Sequence, residues 1–138
     1  ISREGEVLWR LGGEDTDFEH AEDGKELFTA QHQFDILEGT ITVFDNGTSS
    51  RGASRVVQYD LESDSHQIER LWSYEPDPSL FCYVLGDVSM LAEGHRRITW
   101  STAGRIEELD AQGEVVWRVD AELGGAFGYT TWVESLSD

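Results

Sequence analysis

The chain has 138 residues, of which 38% are hydrophobic and 11% aromatic, which is enough apolar material for a core and too much for a disordered chain. Its 28 acidic and 10 basic residues give a net charge of −18, and this sign makes nucleic acids and anionic membranes poor partners. A single cysteine, Cys82, excludes an internal disulfide and a cysteine-based zinc cluster, and no apolar run reaches the ~18 residues that a membrane span needs.

Two interpretations of the acidic excess stay open: adaptation to high salt, which screens self-repulsion, or a merely soluble acidic surface. The chain does not begin with Met, and its first residues run directly into a strand-like stretch. This suggests a start that is either trimmed or naturally truncated. Cys82 lies in the apolar run 80–85, which favours a buried, inert thiol over a nucleophile.

An internal repeat organises the chain. Residues 5–11, GEVLWRL, are nearly copied by residues 113–119, GEVVWRV, and residues 67–74 form a looser third copy. The tryptophans at 72 and 117 lie 45 positions apart, whereas those at 9 and 72 lie 63 apart because a polar, charge-rich loop is inserted between them. A period of ~40–50 residues is typical of β-propeller blades with four strands each.

In chain order, residues 1–13 are predicted to be the outer strand of a preceding blade, and residues 14–31 an acidic loop and lead-in. Residues 32–76 form one blade, with strand-like runs at 34–39, 40–44, 54–60 and 67–74. Residues 77–121 form the next blade, and the turn 110–113 is a hairpin signal within it. Residues 122–138 hold a terminal strand-like run at 129–136. No segment keeps a period of 3.6, so helix is expected to be nearly absent.

The predicted fold is therefore all-β: a partial β-propeller of about two four-stranded antiparallel blades with flanking strands. A ring needs at least ~4 blades, because each blade leaves both of its faces apolar. We expect association, either as a homo-oligomer that completes the ring or as part of a longer parent chain.

One motif resembles a signature of the arylsulfotransferase family. It runs from the Gln31-His32 pair through an apolar strand to Phe-Asp-Asn-Gly at residues 44–47. The neighbouring WRLGG at 9–13 and SRVVQY at 54–59, and the ending from 128 to 136, are similar to the C-terminal blades of that propeller. The similarity covers nearly the whole chain.

The resemblance implies a six-bladed propeller that transfers a sulfuryl group from an aryl sulfate to a phenol through a sulfated histidine. His32 falls at the position of that nucleophile, and imidazole suits the role chemically. Asn46, Arg51 and Arg55 are the nearby candidates to donate hydrogen bonds to the sulfuryl oxygens. It also implies an aryl sulfate or phenolic ligand and a periplasmic or secreted location, with no cofactor.

Further groups of the family's site come from earlier blades, and this sequence holds no counterpart to them. The alternative is an inactive remnant that acts as a self-assembling scaffold or binding module. The sequence does not decide whether this chain is itself an enzyme. It favours the interpretation that the chain alone does not catalyse the reaction.

Several residues have simpler interpretations. The histidines at 20, 66 and 95 lie in polar sequence, are expected to be solvated, and show no metal-ligand spacing. Acidic residues at 15, 17, 19 and 23 resemble a calcium loop only loosely, because the turn glycine and the closing Glu are missing. The five tryptophans (Trp9, Trp72, Trp100, Trp117 and Trp132) recur with the repeat, which favours packing between blades over a carbohydrate platform.

Overall fold

The chain forms two four-stranded sheets in a computed structural model that describes residues 1–20, 27–62, 64–122, 126–131 and 133. Sheet 1 consists of β1 (Phe34–Leu37), β2 (Thr40–Asp45), β3 (Arg55–Glu62) and β4 (Gln67–Tyr74). Sheet 2 consists of β5 (Asp87–Met90), β6 (Arg96–Trp100), β7 (Arg105–Leu109) and β8 (Val115–Asp120). Neighbours in sequence pair antiparallel throughout both sheets.

This architecture confirms the all-β prediction. Helix in the described residues is limited to two 3₁₀ turns, Ala92–Gly94 and Ser101–Ala103. No helix among those residues is long and apolar enough to cross a bilayer. Both sheets lie within the predicted units 32–76 and 77–121, while the limits of those units stay predictions.

Tight turns set the register of the strands. Glu38 and Gly39 both have positive φ, at 50° and 82°, as a two-residue type I′ hairpin between β1 and β2 requires. The predicted hairpin at 110–113 joins β7 to β8. There the Asp110 carboxylate accepts hydrogen bonds from the N–H groups of Gln112 and Glu114, both at 2.9 Å. An aspartate at this position thereby substitutes for backbone partners inside the turn.

One core covers the face of sheet 1 that lies away from sheet 2. Side chains from the loop before β1 pack there against alternate residues of β2 and β3. Tyr59 anchors the loop by donating a hydrogen bond to the carbonyl of Leu27 at 2.7 Å. The buried members are Phe18, Leu27, Phe28, Ile41, Val43, Val57, Tyr59 and Ile68.

A second core lies between the two sheets, and we call it the seam. It holds Phe44, Val56, Cys82, Val88, Ile98, Trp100 and Leu109. Its buried carboxylate, Glu107, accepts hydrogen bonds from Trp100 Nε1 at 2.9 Å and from the Tyr74 hydroxyl at 3.2 Å. Burial and the neighbouring Glu107 carboxylate raise the pKa of Tyr74 to about 12, so this phenol stays a hydrogen-bond donor at neutral pH.

Residues 6–11 lie in no sheet, in contrast to the predicted outer strand. Their hydrogen bonds run to the following loop instead: the Arg10 N–H donates to Asp17 Oδ2 at 2.7 Å, and the Arg10 carbonyl accepts from the Asp17 N–H at 2.8 Å. Residues 129–131 and 133 of the predicted terminal strand are also irregular, and residues 132 and 134–136 lie outside the described residues.

The expectation that His20 is solvated is wrong. Its ring is buried, and its Nε2 accepts a hydrogen bond from the Arg70 N–H at 3.1 Å. The loop that carries it folds back over sheet 1, because Phe18 and Leu27 on either side must be buried. Residues 21–26 of this loop, including Asp23 of the calcium-like pattern, lie outside the described residues.

Candidate functional site

The candidate site begins where the chain enters β1. The N–H of His32 donates to the carbonyl of Phe44 at 3.1 Å, and the N–H of Phe44 donates to the carbonyl of Gln33 at 2.8 Å. Two residues of one strand thus oppose a single residue of the other, which is the pattern of a β-bulge and is common beside active sites. His32 is half-buried, and within the described residues its imidazole has no hydrogen-bond partner.

Asp45, at the end of β2, is the most heavily bonded group of the site and is fully buried. Its Oδ2 accepts from Arg51 Nη1 at 2.7 Å and from Arg55 Nε at 2.8 Å. Its Oδ1 accepts from the N–H groups of Thr29 at 2.9 Å and Gly47 at 3.0 Å. A single carboxylate therefore ties together the lead-in to β1, the loop after β2 and the start of β3.

Electrostatics keep this carboxylate ionised. Burial alone would raise the pKa of Asp45, but the hydrogen bonds from Arg51, the Thr29 N–H and Arg55 outweigh burial and hold the pKa below its usual value. The anion in turn offsets the charge of the two guanidinium groups beside it. The cluster therefore carries one net positive charge in a protein of net charge −18.

Both arginines also hold backbone carbonyls. Arg51 donates from Nε to Ala53 O at 2.8 Å, and Arg55 donates from Nη2 to Leu27 O at 3.1 Å. Their side chains nevertheless remain 31% and 23% exposed, respectively. Five N–H donors per guanidinium leave some of them for a ligand.

Asn46 points toward the other sheet. Its Nδ2 donates to the carbonyls of Cys82 and Leu85, both at 2.7 Å, which uses both amide hydrogens. Ser54 reinforces this junction, since its hydroxyl donates to Asn46 O and accepts from the Cys82 N–H, both at 2.8 Å. These contacts make Asn46 a tie between the end of β2 and the segment that leads to β5.

Gly47 allows the cluster to close. It has a φ of 72°, and a Cβ at this position would overlap the guanidinium of Arg51. The Asp-Asn-Gly run therefore needs each of its three residue types: a carboxylate for the arginines, an amide for the seam, and no side chain at the turn.

Comparison with known protein families decides the classification. A family model described as arylsulfotransferase (ASST) matches residues 1–122, which is most of the chain and includes the whole of the site. The chain belongs to the arylsulfotransferase family. No curated protein matches it.

The arylsulfotransferase residues predicted from the sequence fall into two groups in the structure. Arg51 and Arg55 converge on Asp45, and His32 lies in the lead-in to β1, where its N–H bonds to the Phe44 carbonyl near the end of β2. Asn46 instead faces the seam, with its amide hydrogens already donated to carbonyls. The catalytic roles assigned to these four residues stay predictions.

Asp45, the carboxylate that ties the candidate site together, is not among the residues that the sequence singled out. Its signal was present: an acid directly before Asn-Gly, followed by arginines six and ten positions later. Nothing in the spacing shows that both arginines fold back onto one carboxylate. Among the described residues, no group of three or more His, Cys, Asp or Glu side chains could hold a metal ion.

A cleft of about 630 Å³ borders the site on the side of the lead-in. It is lined by Gly12, Gly13, Glu14, Phe28, Thr29, Ala30 and Gln31. This volume is within the range of small-molecule sites. Since Gln31 directly precedes His32, a ligand in this cleft would lie close to the segment before β1 that carries the histidine.

Proposed function

We propose that this chain supplies the histidine-bearing part of an arylsulfotransferase site, transferring a sulfuryl group from an aryl sulfate to a phenol. The family match across residues 1–122 carries the proposal. It is supported by the half-buried His32, whose imidazole has no hydrogen-bond partner in the described chain, and by the partly exposed side chains of Arg51 and Arg55.

The proposed reaction has two displacement steps. An imidazole nitrogen of His32 attacks sulfur, the sulfur–oxygen bond to the aryl group breaks, and the phenolate leaves and takes a proton from solvent. A second phenol then attacks sulfur, the nitrogen–sulfur bond breaks, and the acceptor's proton passes to solvent. N–H groups of Arg51 and Arg55 would bind the sulfuryl oxygens in both steps.

The test uses a chromogenic aryl sulfate, 4-nitrophenyl sulfate, with phenol as acceptor. We expect the intact chain to release nitrophenolate faster than buffer does, and His32→Ala to fall to the buffer rate. His66→Ala is the matched control, because His66 is an exposed histidine outside the site and its loss should leave the rate unchanged. Equal rates for the intact chain and His32→Ala would reject catalysis by this chain.

A second candidate is a non-catalytic scaffold or binding module. The bonding of Asn46, and most of that of Arg51 and Arg55, favours it, because these side chains already stabilise the fold. Such a protein would give no turnover, and His32→Ala would leave its stability unchanged. Association with further copies also stays a proposal, and the mass of the particle in solution tests it.

A further inference from the structure

Trp117, for which the repeat predicts packing between blades, has 51% of its surface exposed. It lies on the face of sheet 2 that points away from the seam. Ile98 and Trp100 of β6 face the seam, so the alternate residue Arg97 faces outward. The register places Arg97 opposite Glu108, and Glu108 opposite Trp117, so the three form a row across β6, β7 and β8.

This row forms the floor of an open cleft of about 720 Å³. Ile106 and Trp117 give it apolar surface, and Thr130 and Thr131 form one side. The volume is large enough for a ligand of one or two sugar-sized rings. The cleft is separate from the His32 site, which belongs to sheet 1.

Arg97 lines this cleft. It is only 9% exposed, and its Nε, which is itself buried, has no hydrogen-bond partner within the described residues. A guanidinium carries hydrogen-bond donors only, so a ligand that contacts Arg97 from the cleft must offer an acceptor. The ligand should therefore carry an acceptor oxygen that reaches Arg97.

The charges around Arg97 select against ions. Glu108 lies opposite it and also binds His95 Nδ1 at 2.8 Å, and Asp87 is close enough to interact with it electrostatically. These carboxylates offset the guanidinium, and the net charge of −18 disfavours an anionic ligand further. A cation would meet Arg97 itself. The cleft thus suits a neutral ligand that offers donors, acceptors and an apolar face together.

We propose that this cleft binds a free neutral mono- or disaccharide. The C–H face of a pyranose ring packs on the Trp117 indole, and its hydroxyl groups accept from Arg97, donate to Glu108, and do both with Thr131. Arg97, Glu108 and Trp117 share one sheet face, which positions them rigidly for such a ligand.

The test follows the five tryptophan indole N–H signals by NMR during titration of the intact chain with methyl β-D-glucoside, maltose and cellobiose. Trp117→Phe assigns the Trp117 signal. We expect at least one sugar to shift that signal in a saturable way while the Trp100 signal, in the seam, stays still. Absence of any saturable shift with all three sugars would overturn the proposal.

Variants separate the saccharide from other occupants. Trp117→Ala and Arg97→Gln should each weaken binding by about tenfold or more, whereas Tyr129→Ala, an exposed aromatic outside the cleft lining, should leave it unchanged. An NMR fingerprint checks that each variant is folded. Tighter binding of 4-nitrophenyl sulfate than of sugars in this cleft would contradict the proposal, as would a dimer that Trp117→Ala dissociates.

Discussion

At the scale of single residues, Asp45 holds the site together. It is a buried anion with four hydrogen-bond donors from three separate parts of the chain. The two arginine side chains are partly exposed, so each ion pair is partly screened by water. Removing the charge should therefore loosen the lead-in to β1 as well as the two arginines.

We predict that Asp45→Asn lowers the free energy of unfolding by about 2 kcal/mol at pH 7, measured by urea denaturation. The folded state lowers the pKa of Asp45, so its contribution is complete above the unfolded pKa of ~3.9 and is lost as the pH falls through the folded value. The difference between the two proteins should thus shrink below about pH 4.

Glu69→Gln is the control for that experiment, because it removes one negative charge from an exposed position of β4. This substitution should change the free energy of unfolding little, both at pH 7 and below about pH 4. If Asp45→Asn lowers the free energy of unfolding no more than Glu69→Gln does, or by the same amount at every pH, the carboxylate does not organise the site.

At the scale of elements, the strands and turns could be predicted, but the connections between the sheets could not. Alternation as in Ile41 and Val43, and turns such as 110–113, are local features that the chain encodes within a few residues. The amide of Asn46 bonds to carbonyls 36 and 39 positions away, and no local pattern reports such a contact. For the same reason His20 was expected in solvent, and residues 6–11 were expected in a sheet.

Asn46 gives a test of the connection between the sheets. Asn46→Ala removes the amide donor from two carbonyls and should lower the free energy of unfolding by about 2 kcal/mol. Asn46→Asp should cost more at neutral pH, because it places a carboxylate against those same carbonyls. Urea denaturation of the three proteins checks the order. An Asp variant as stable as the native protein would contradict the bonding described here.

At the scale of the whole molecule, the net charge of −18 affects the stability of the fold. Like charges distributed over a chain of this size repel each other and favour the unfolded state. Monovalent salt screens this repulsion, since the Debye length falls from about 30 Å at 0.01 M to about 3 Å at 1 M. The buried Asp45 and Glu107 clusters should be affected less than the surface.

We predict that the melting temperature rises by about 4 °C between low salt and about 1 M sodium chloride. Calorimetry measures the rise, and sucrose at equal osmolality is the control for general solvent effects. A continuing rise at still higher salt would favour adaptation to high salt over a merely soluble acidic surface. A melting temperature that stays constant or falls as salt is added would mean that repulsion between like charges does not significantly destabilise the folded state.

The position of Cys82 has a practical consequence. This thiol is the one cysteine of the sequence, lies fully buried in the seam, and has a pKa raised by burial. A thiol reagent in solution can reach it only when the two sheets part. The labelling rate under native conditions therefore measures how often the junction between the sheets opens. Comparing that rate with the rate of global unfolding shows whether the sheets separate before either one unfolds.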